Sequence, residues 1–193
     1  MEIIQKEGMT GFDVAGQDAE MKKQALAMRV NGHTAELWRP LQQGDEVELL
    51  TFDSEEGRRA FRHTASHILA QAVLAVRPGT KLAIGPAIEN GFYYDFDSEE
   101  PFSSQDLAAI EKEMARIVKK NERLERFELP RQEAIAFMRE RNEPYKVELI
   151  EDLPEDAVIS FYRQGDFVDL CAGPHLPSTG KVKAIKLTHV AGA

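Results

Sequence analysis

The chain has 193 residues, 42% of them hydrophobic and 30% charged. That is enough apolar mass for one large domain or two small ones, and it excludes a disordered, collagen-like or coiled-coil chain. Its 24 basic and 33 acidic residues leave a formal charge of −9, which excludes a broadly basic nucleic-acid binder but not a local basic groove on an acidic body. No apolar run approaches the ~20 residues of a membrane span, and the opening MEIIQKEG lacks the apolar core of a signal peptide. The single cysteine, Cys171, forbids an internal disulfide, so a reducing cytoplasm is the expected compartment.

Charge and pattern change near Asp53. Before it, QALAMRVNG reads as the end of a helix and a short strand closed by an Asn31-Gly32 turn. HTAELWRPL leads to Gly44-Asp45, and DEVELL alternates as a strand. The result is a unit of about fifty residues, marginal alone by its size. TFDSEEG reads as the linker out of it.

A long helix is expected over about 55–76, stopped by Pro78-Gly79. Phe61, Ala65, Ile68, Leu69, Ala72 and Val76 form its apolar stripe, while His63, His67, Ala70 and Leu74 fall on another face. In KLAIGPAIENGFYYDF two apolar runs flank Asn90-Gly91, a hairpin signal. A second helix begins at Ser103 or Ser104, with Leu107, Ile110, Met114 and Ile117 as its stripe. A short helix follows Pro130, segments 145–150 and 157–162 read as strands, and Gln164-Gly165 turns into FVDLCAGPH.

Two pairs of residues have the chemistry of a site. His63 and His67 lie one helical turn apart on one face, and Cys171 and His175 repeat that spacing around a tight turn. A packed or solvated helix face accounts for the first pair alone. Together the four make either a sensible zinc set or a metal-free hydrolytic pocket, since a neutral imidazole can take a proton from water. A zincin is excluded because Thr64 stands where its general-base Glu would follow the first His.

In FVDLC, Phe167, Asp169 and Cys171 share one strand face. Asp169 therefore points where Cys171 points, either as a solvent-facing edge residue or as a carboxylate beside the histidines. In GFYYDF, Phe92, Tyr94 and Phe96 share a face. Lys146 opens the expected strand over 145–150 and carries no signal of its own. Lys112, Arg116, Lys119, Lys120, Arg123 and Arg126 are interleaved with Glu111, Glu113, Glu122, Glu125 and Glu128, which reads as a salt-bridged solvent face rather than a nucleic-acid stripe. The C-terminal stretch is more suggestive, because Arg163, Lys181, Lys183 and Lys186 outnumber Asp166 and Asp169.

RHTASHILAQAV, KLAIGPAIENGFYYDF, EPYKVELI, VDLCAGPH and the terminal THVAGA resemble the N-terminal editing region of bacterial threonyl-tRNA synthetases. The resemblance implies an α+β fold in two units. Residues 1–53 would be a small β-grasp-like TGS domain, incomplete at its N-terminus. Residues 54–193 would be an editing domain of the threonyl/alanyl type, with a mainly antiparallel sheet packed on helices. It implies hydrolysis of the ester of mischarged Ser-tRNA(Thr). The family would need this second site because a missing methyl supplies only about 1–3 kcal/mol of discrimination.

Carried over residue by residue, His63 and Lys146 would handle the attacking water. His67, Cys171 and His175 would hold the terminal adenosine, Asp169 would meet the seryl ammonium with Tyr94 beside it, and Gly85 would allow a close backbone approach. The expected partner is the acceptor end of tRNA(Thr) carrying serine, with no membrane. ATP, magnesium, a core zinc and homodimer contacts would belong to an aminoacylation core beyond this chain. No zinc is expected to be required at His63, His67, Cys171 and His175, because four protein ligands would close the open position that a catalytic zinc needs. The alternative is a zinc-stabilised module that binds the acceptor end without hydrolysis.

Overall fold

The computed structural model describes residues 2–4 and 6–192. Met1 and Ala193, the outer ends of the two expected units, and Gln5 lie outside the described residues. The first part of the chain runs through strand β1 (Glu2–Ile3), helices α1 (Gly11–Ala15) and α2 (Met21–Gln24), and strands β2 (Ala27–Val30), β3 (His33–Ala35) and β4 (Glu46–Leu50). Asn31 and Gly32 both take left-handed backbone, φ 49° and 85°, the geometry that twists a two-residue hairpin correctly. Val30 therefore sits opposite His33. The sheet is antiparallel, in the order β1-β4-β2-β3. It packs Met28, Val30 and Val47 against Val14, Leu37 and Leu41.

Ser54 then caps helix α3 (Glu55–Val76) by accepting from the Gly57 amide. Four two-residue strands follow: β5 (Lys81–Leu82), β6 (Ala87–Ile88), β7 (Gly91–Phe92) and β8 (Phe96–Asp97), paired β5 with β8 and β6 with β7. Helix α4 (Ser104–Lys120) starts in a Ser103–Asp106 capping box. Its buried stripe of Ile110, Met114 and Ile117 packs with the α3 residues Ile68, Leu69, Ala72 and Val73. Leu26, Ala27 and Leu50 from the first sheet join this same cluster, so the first sheet, which has its own cluster, also packs against α3.

Strand β9 (Leu124–Glu128), helices α5 (Arg131–Glu140) and α6 (Pro144–Asp152), and strands β10 (Ser160–Gln164) and β11 (Phe167–Leu170) complete the elements that matter for the site. The second sheet has the order β11-β10-β9 and is antiparallel. Phe161 and Val168 on one face pack with Ala134, Met138 and Ile150 of the two helices. Phe167 on the other face joins the α3 cluster. With helices on both sides, the sheet is interior, and the whole is an α+β fold.

Several local readings of the sequence are corrected. Segment 145–150 is helix, not strand. Pro144 at its first position presets helical φ, and the buried positions are Lys146 and Ile150, four apart. The alternation of Tyr145, Val147 and Leu149 is incidental, and Tyr145 and Leu149 are exposed. The strand expected over 157–162 starts only at Ser160 and runs to Gln164. Asn121 in left-handed backbone ends α4, which puts Arg123 beyond the helix and Arg126 on β9, so they extend no helical stripe. In the hairpin, Ile88 pairs with Gly91, so the turn is Glu89-Asn90 and Gly91 belongs to a strand.

A buried polar bond ties the first sheet to the second, besides the more exposed contacts of Arg29 with Glu56 and of Lys181 with the Lys23 carbonyl. The buried Tyr162 hydroxyl on β10 donates to the buried Glu36 carboxylate after β3. Tyr162→Phe removes the donor and leaves a buried carboxylate short of a partner, a loss of about 1–3 kcal/mol. The urea midpoint is expected to fall with no change in m-value, and an unchanged midpoint would show that the bond contributes nothing.

Candidate active site

Helix α3 positions the first pair. At four-residue spacing His63 and His67 project from one face, their rings 5.2 Å apart. His63 is half-buried and His67 fully buried. The face expected to be distinct from the apolar stripe is itself enclosed, since Thr64, Ser66, His67 and Ala70 are all buried.

The second pair comes from the end of β11. There the chain turns through Gly173, whose φ of 76° suits glycine. A methyl at Gly173 would also overlap the Tyr162 hydroxyl. The turn brings Cys171 Sγ to 3.2 Å from both His63 Nε2 and His175 Nε2. The His175 ring stacks on His63 at 4.1 Å and lies 4.2 Å from His67. The ligand atoms of His63, His67, Cys171 and His175 all lie within 4.8 Å of one another.

One arrangement of protons satisfies the contacts among Thr64, His175, Cys171 and His63. The Leu176 amide donates to Thr64 Oγ1, whose hydroxyl proton then serves His175 Nδ1 at 3.0 Å. His175 Nε2–H donates to Cys171 Sγ, and the thiol proton is left for His63 Nε2. The other His63 nitrogen donates to the Pro174 carbonyl. Burial keeps all of these groups neutral. It pushes His67 down to about 3 and His175 well below the ordinary imidazole value. It lowers His63 against the opposing Pro174 bond and drives the Cys171 thiol up to about 12.

A charged group adjoins this neutral one. Asp169 on β11 is only 2% exposed. It forms an ion pair with Lys146 at 2.8 Å, accepts from the Tyr94 hydroxyl at 2.6 Å, and lies 3.6 Å from His67 Nε2. Burial alone would raise its pKa, but the Lys146 ammonium, with His67 and Tyr94, holds the carboxyl below its ordinary value. Lys146 is 3% exposed and also donates to the Tyr94 oxygen at 3.1 Å. Gly85 lies against the Tyr94 ring, where any side chain would overlap it. Ser66 holds the Gly85 carbonyl from α3 at 2.8 Å. The close approach at Gly85 is thus to Tyr94.

All eight residues singled out in the sequence meet in this one place. Asp169 lies on β11, an edge strand of its sheet, yet is buried rather than solvent-facing, and Tyr94 is buried beyond ordinary half-exposed packing. Three supporting residues carried no signal. Thr64 stands out only as the residue where a zincin has Glu, Ser66 sits between His63 and His67 with no pattern of its own, and Glu36 lies outside any motif.

The C-terminal basic residues form no single patch, although Lys183 lies near enough to Lys181 to act on it. Lys186 pairs with Glu111, Lys181 donates to the Lys23 carbonyl, and the Arg163 guanidinium lies 5.2 Å from the Phe127 ring centroid. The charged side of α4 is salt-bridged as expected, with Arg116 on Glu113 and Lys120 on Glu122.

The four donors fit a zinc ion. The 3.2 Å separations of Sγ from two imidazole nitrogens approximate the edges of a tetrahedron with Zn–N of about 2.0–2.1 Å and Zn–S of about 2.3 Å. In addition, His67 Nδ1 is buried without a hydrogen-bond partner.

A family model described as "Threonyl and Alanyl tRNA synthetase second additional domain" matches residues 159–192, the stretch that supplies Asp169, Cys171 and His175. A threonine–tRNA ligase of Acetivibrio thermocellus is 64% identical over 188 residues, 97% of this chain and 30% of the relative. The chain belongs to the threonine–tRNA ligase family. The ligase of Clostridium tetani is 66% identical over 171 residues, 89% of the chain and 27% of the relative. That of Clostridium kluyveri is 57% identical over all 193 residues, again 30% of the relative. The chain thus spans about 30% of the length of these relatives. Among the described residues no helix is long and apolar enough to cross a membrane.

The buried imidazoles set an acid limit on stability. Their native pKa values lie below the unfolded value of about 6.5, so below that pH the unfolded chain binds more protons than the native one. Stability is full above about pH 6.5 and is lost as pH falls toward 3, by up to about 1.4 kcal/mol per pH unit for each histidine held neutral. For chelator-treated protein the urea midpoint should fall between pH 7.5 and pH 5. A flat or rising midpoint would show that the histidines are not held neutral.

Proposed function

We propose that the chain is an editing region that hydrolyses the ester of serine misattached to tRNA(Thr). The neutral imidazole–thiol cluster lying directly against the Lys146–Asp169–Tyr94 group carries this reading. It offers a base that is unprotonated at pH 7 next to a paired charge in a water-poor site. In our reading the two units are a TGS-like domain over 1–53 and an editing domain over 54–193. The substrate is the acceptor end of tRNA(Thr) bearing serine.

His63 is the half-buried imidazole of the set, and its depressed pKa keeps it neutral at neutral pH; when the Cys171 thiol turns away from Nε2, that nitrogen takes a proton from the attacking water. Lys146 supplies a fixed positive charge for the oxyanion that develops at the ester carbonyl. Asp169 keeps acceptor capacity beyond its bonds to Lys146 and Tyr94, because a carboxylate has about four lone-pair sites. The seryl ammonium would take one of them. His67, Cys171 and His175 shape the pocket around the terminal adenosine. An ester is intrinsically labile, so orientation and one base suffice. A bound zinc, held by His63, His67, Cys171 and His175, would supply a Lewis acid or a structural clamp.

Single-turnover deacylation at saturating enzyme tests the reading, with Ser-tRNA(Thr) and Thr-tRNA(Thr) measured side by side. The seryl ester should be cleaved faster, and His63→Ala should lower its rate by about 10²–10⁴-fold. Lys146→Met alone leaves Asp169 buried without its counter-charge, so it is paired with Asp169→Asn to keep the interior neutral. An unmutated chain that spares both esters would defeat the reading, and a His63→Ala rate equal to the unmutated one would remove the base from His63.

Chelation tests the zinc-stabilised alternative, which the fit of the four donors favours. Protein stripped with a strong chelator should keep a cooperative melt and its deacylation rate. Loss of fold on stripping would assign the four side chains to a structural metal.

A further inference from the structure

A cavity of about 450 Å³ lies against the turn that carries Cys171 and His175. Ala172 and Pro174 of that turn form one part of its wall, and Glu36, Trp38 and Arg39 from the segment after β3 form another, with Arg126 of β9 beside them. Trp38 is the only tryptophan in the chain. It is half-buried, yet among the described residues it joins none of the three apolar clusters and stacks on no other ring. A ring of that size normally repays burial in a core. Here it lines a cleft with two exposed guanidiniums.

The charges in the cleft are not equally available. Glu36 is buried and accepts from Tyr162. Arg126 is paired with Glu128 at 2.5 Å, both side chains partly exposed, and a surface pair of this kind contributes only about 0–1 kcal/mol. An anion can therefore displace it. Arg39 is exposed and holds no ion pair among the described residues. An acidic protein thus presents a local site with one aromatic face and two guanidiniums. Aromatic faces bind bases at about 1–3 kcal/mol each without demanding a particular sequence, and guanidiniums bind phosphate oxygens in a forked geometry.

We propose that this cleft is a nucleotide subsite: an unpaired ribonucleotide next to the RNA 3′ end stacks its base on Trp38 and sets its phosphate between Arg39 and Arg126. The inference rests on the editing reading for the identity of the RNA. Cys171 and His175 flank Ala172 and Pro174, so a strand whose last nucleotide lies at the histidine cluster has its preceding nucleotide at this wall. The subsite would fix the approach of the 3′ end without touching the ester.

The single tryptophan makes the site its own reporter. The full chain is titrated with the RNA trinucleotide CCA at low salt while tryptophan emission is followed. Emission should be quenched saturably, and the double variant Arg39→Gln/Arg126→Gln should raise the half-saturating concentration about tenfold or more. Raising the salt should weaken binding to the unmutated chain. Ribose 5-phosphate, which has the phosphate but no base, should bind far more weakly. The trinucleotide carries no ester, so the titration reads the subsite whether or not the chain hydrolyses one. No saturable quench up to millimolar CCA, equal binding of ribose 5-phosphate, or no effect of the double variant would each overturn the proposal.

Discussion

A carboxylate in the middle of a protein must be matched by a positive charge, and the site is organised around how Asp169 meets that demand. Its strand has helices on both sides, so the carboxylate cannot turn to water. Lys146 reaches it from α6, Tyr94 from the segment between β7 and β8, and His67 approaches from α3. Three elements distant in sequence are thereby tied to one side chain. Truncating any partner leaves charge or a polar group unpaired in the interior, which costs more than the pair itself contributes. The benefit is geometric. Tyr94 is held by its hydroxyl at one end and by Gly85 and Ser66 behind its ring, and the whole wall of the pocket inherits that rigidity.

The second half of the site follows a different rule. His63, His67, Cys171 and His175 carry no net charge, because burial disfavours their ionised forms. Neutral imidazoles beside a compensated ion pair form an environment in which a bound cation or a developing anion interacts strongly, since little water is present to screen it. Thr64 links helix and turn: its hydroxyl oxygen accepts from the Leu176 amide and lies 3.0 Å from His175 Nδ1. The second sheet shares in the arrangement, because Tyr162 and Asp169 are directly opposed on β10 and β11. One braces the cysteine turn from below and the other faces the histidines.

Much of this was legible in the chain because local chemistry and tertiary structure agree. Ser54 and Pro78-Gly79 bracket α3 at the residues where the helix begins and ends. Asn31-Gly32 makes the turn its dihedral preferences demand. The paired spacings of His63/His67 and Cys171/His175 announce one cluster. The failures have equally local causes. Tyr145, Val147 and Leu149 alternate like a strand, while the buried residues Lys146 and Ile150 follow helical spacing and one of them is charged, so apolar patterning points the wrong way. Asp169, on an edge strand, looks solvent-facing until both faces of its sheet are known to be covered. Asn90-Gly91 was overruled because the short β6–β7 pairing draws Gly91 into the strand. Glu36 and Ser66 act only through partners far away in sequence, and no spacing rule reports such contacts.

The sequence separation of the two halves also governs when the site comes into being. Cys171 lies 108 residues after the histidine it touches. α3 can form as soon as it leaves the ribosome, but its histidine face has nothing to close on until the last part of this chain has emerged. At about 5–20 residues per second, that is a wait of roughly 5–20 seconds. Throughout it, a helix with buried-type residues on two faces stands half-covered, which is the situation in which long-range topologies fold slowly and aggregate. The first sheet is complete by Leu50 and contributes Leu26, Ala27 and Leu50 to the same cluster as α3. It is therefore available early as a partial cover for the helix, one that the finished molecule keeps.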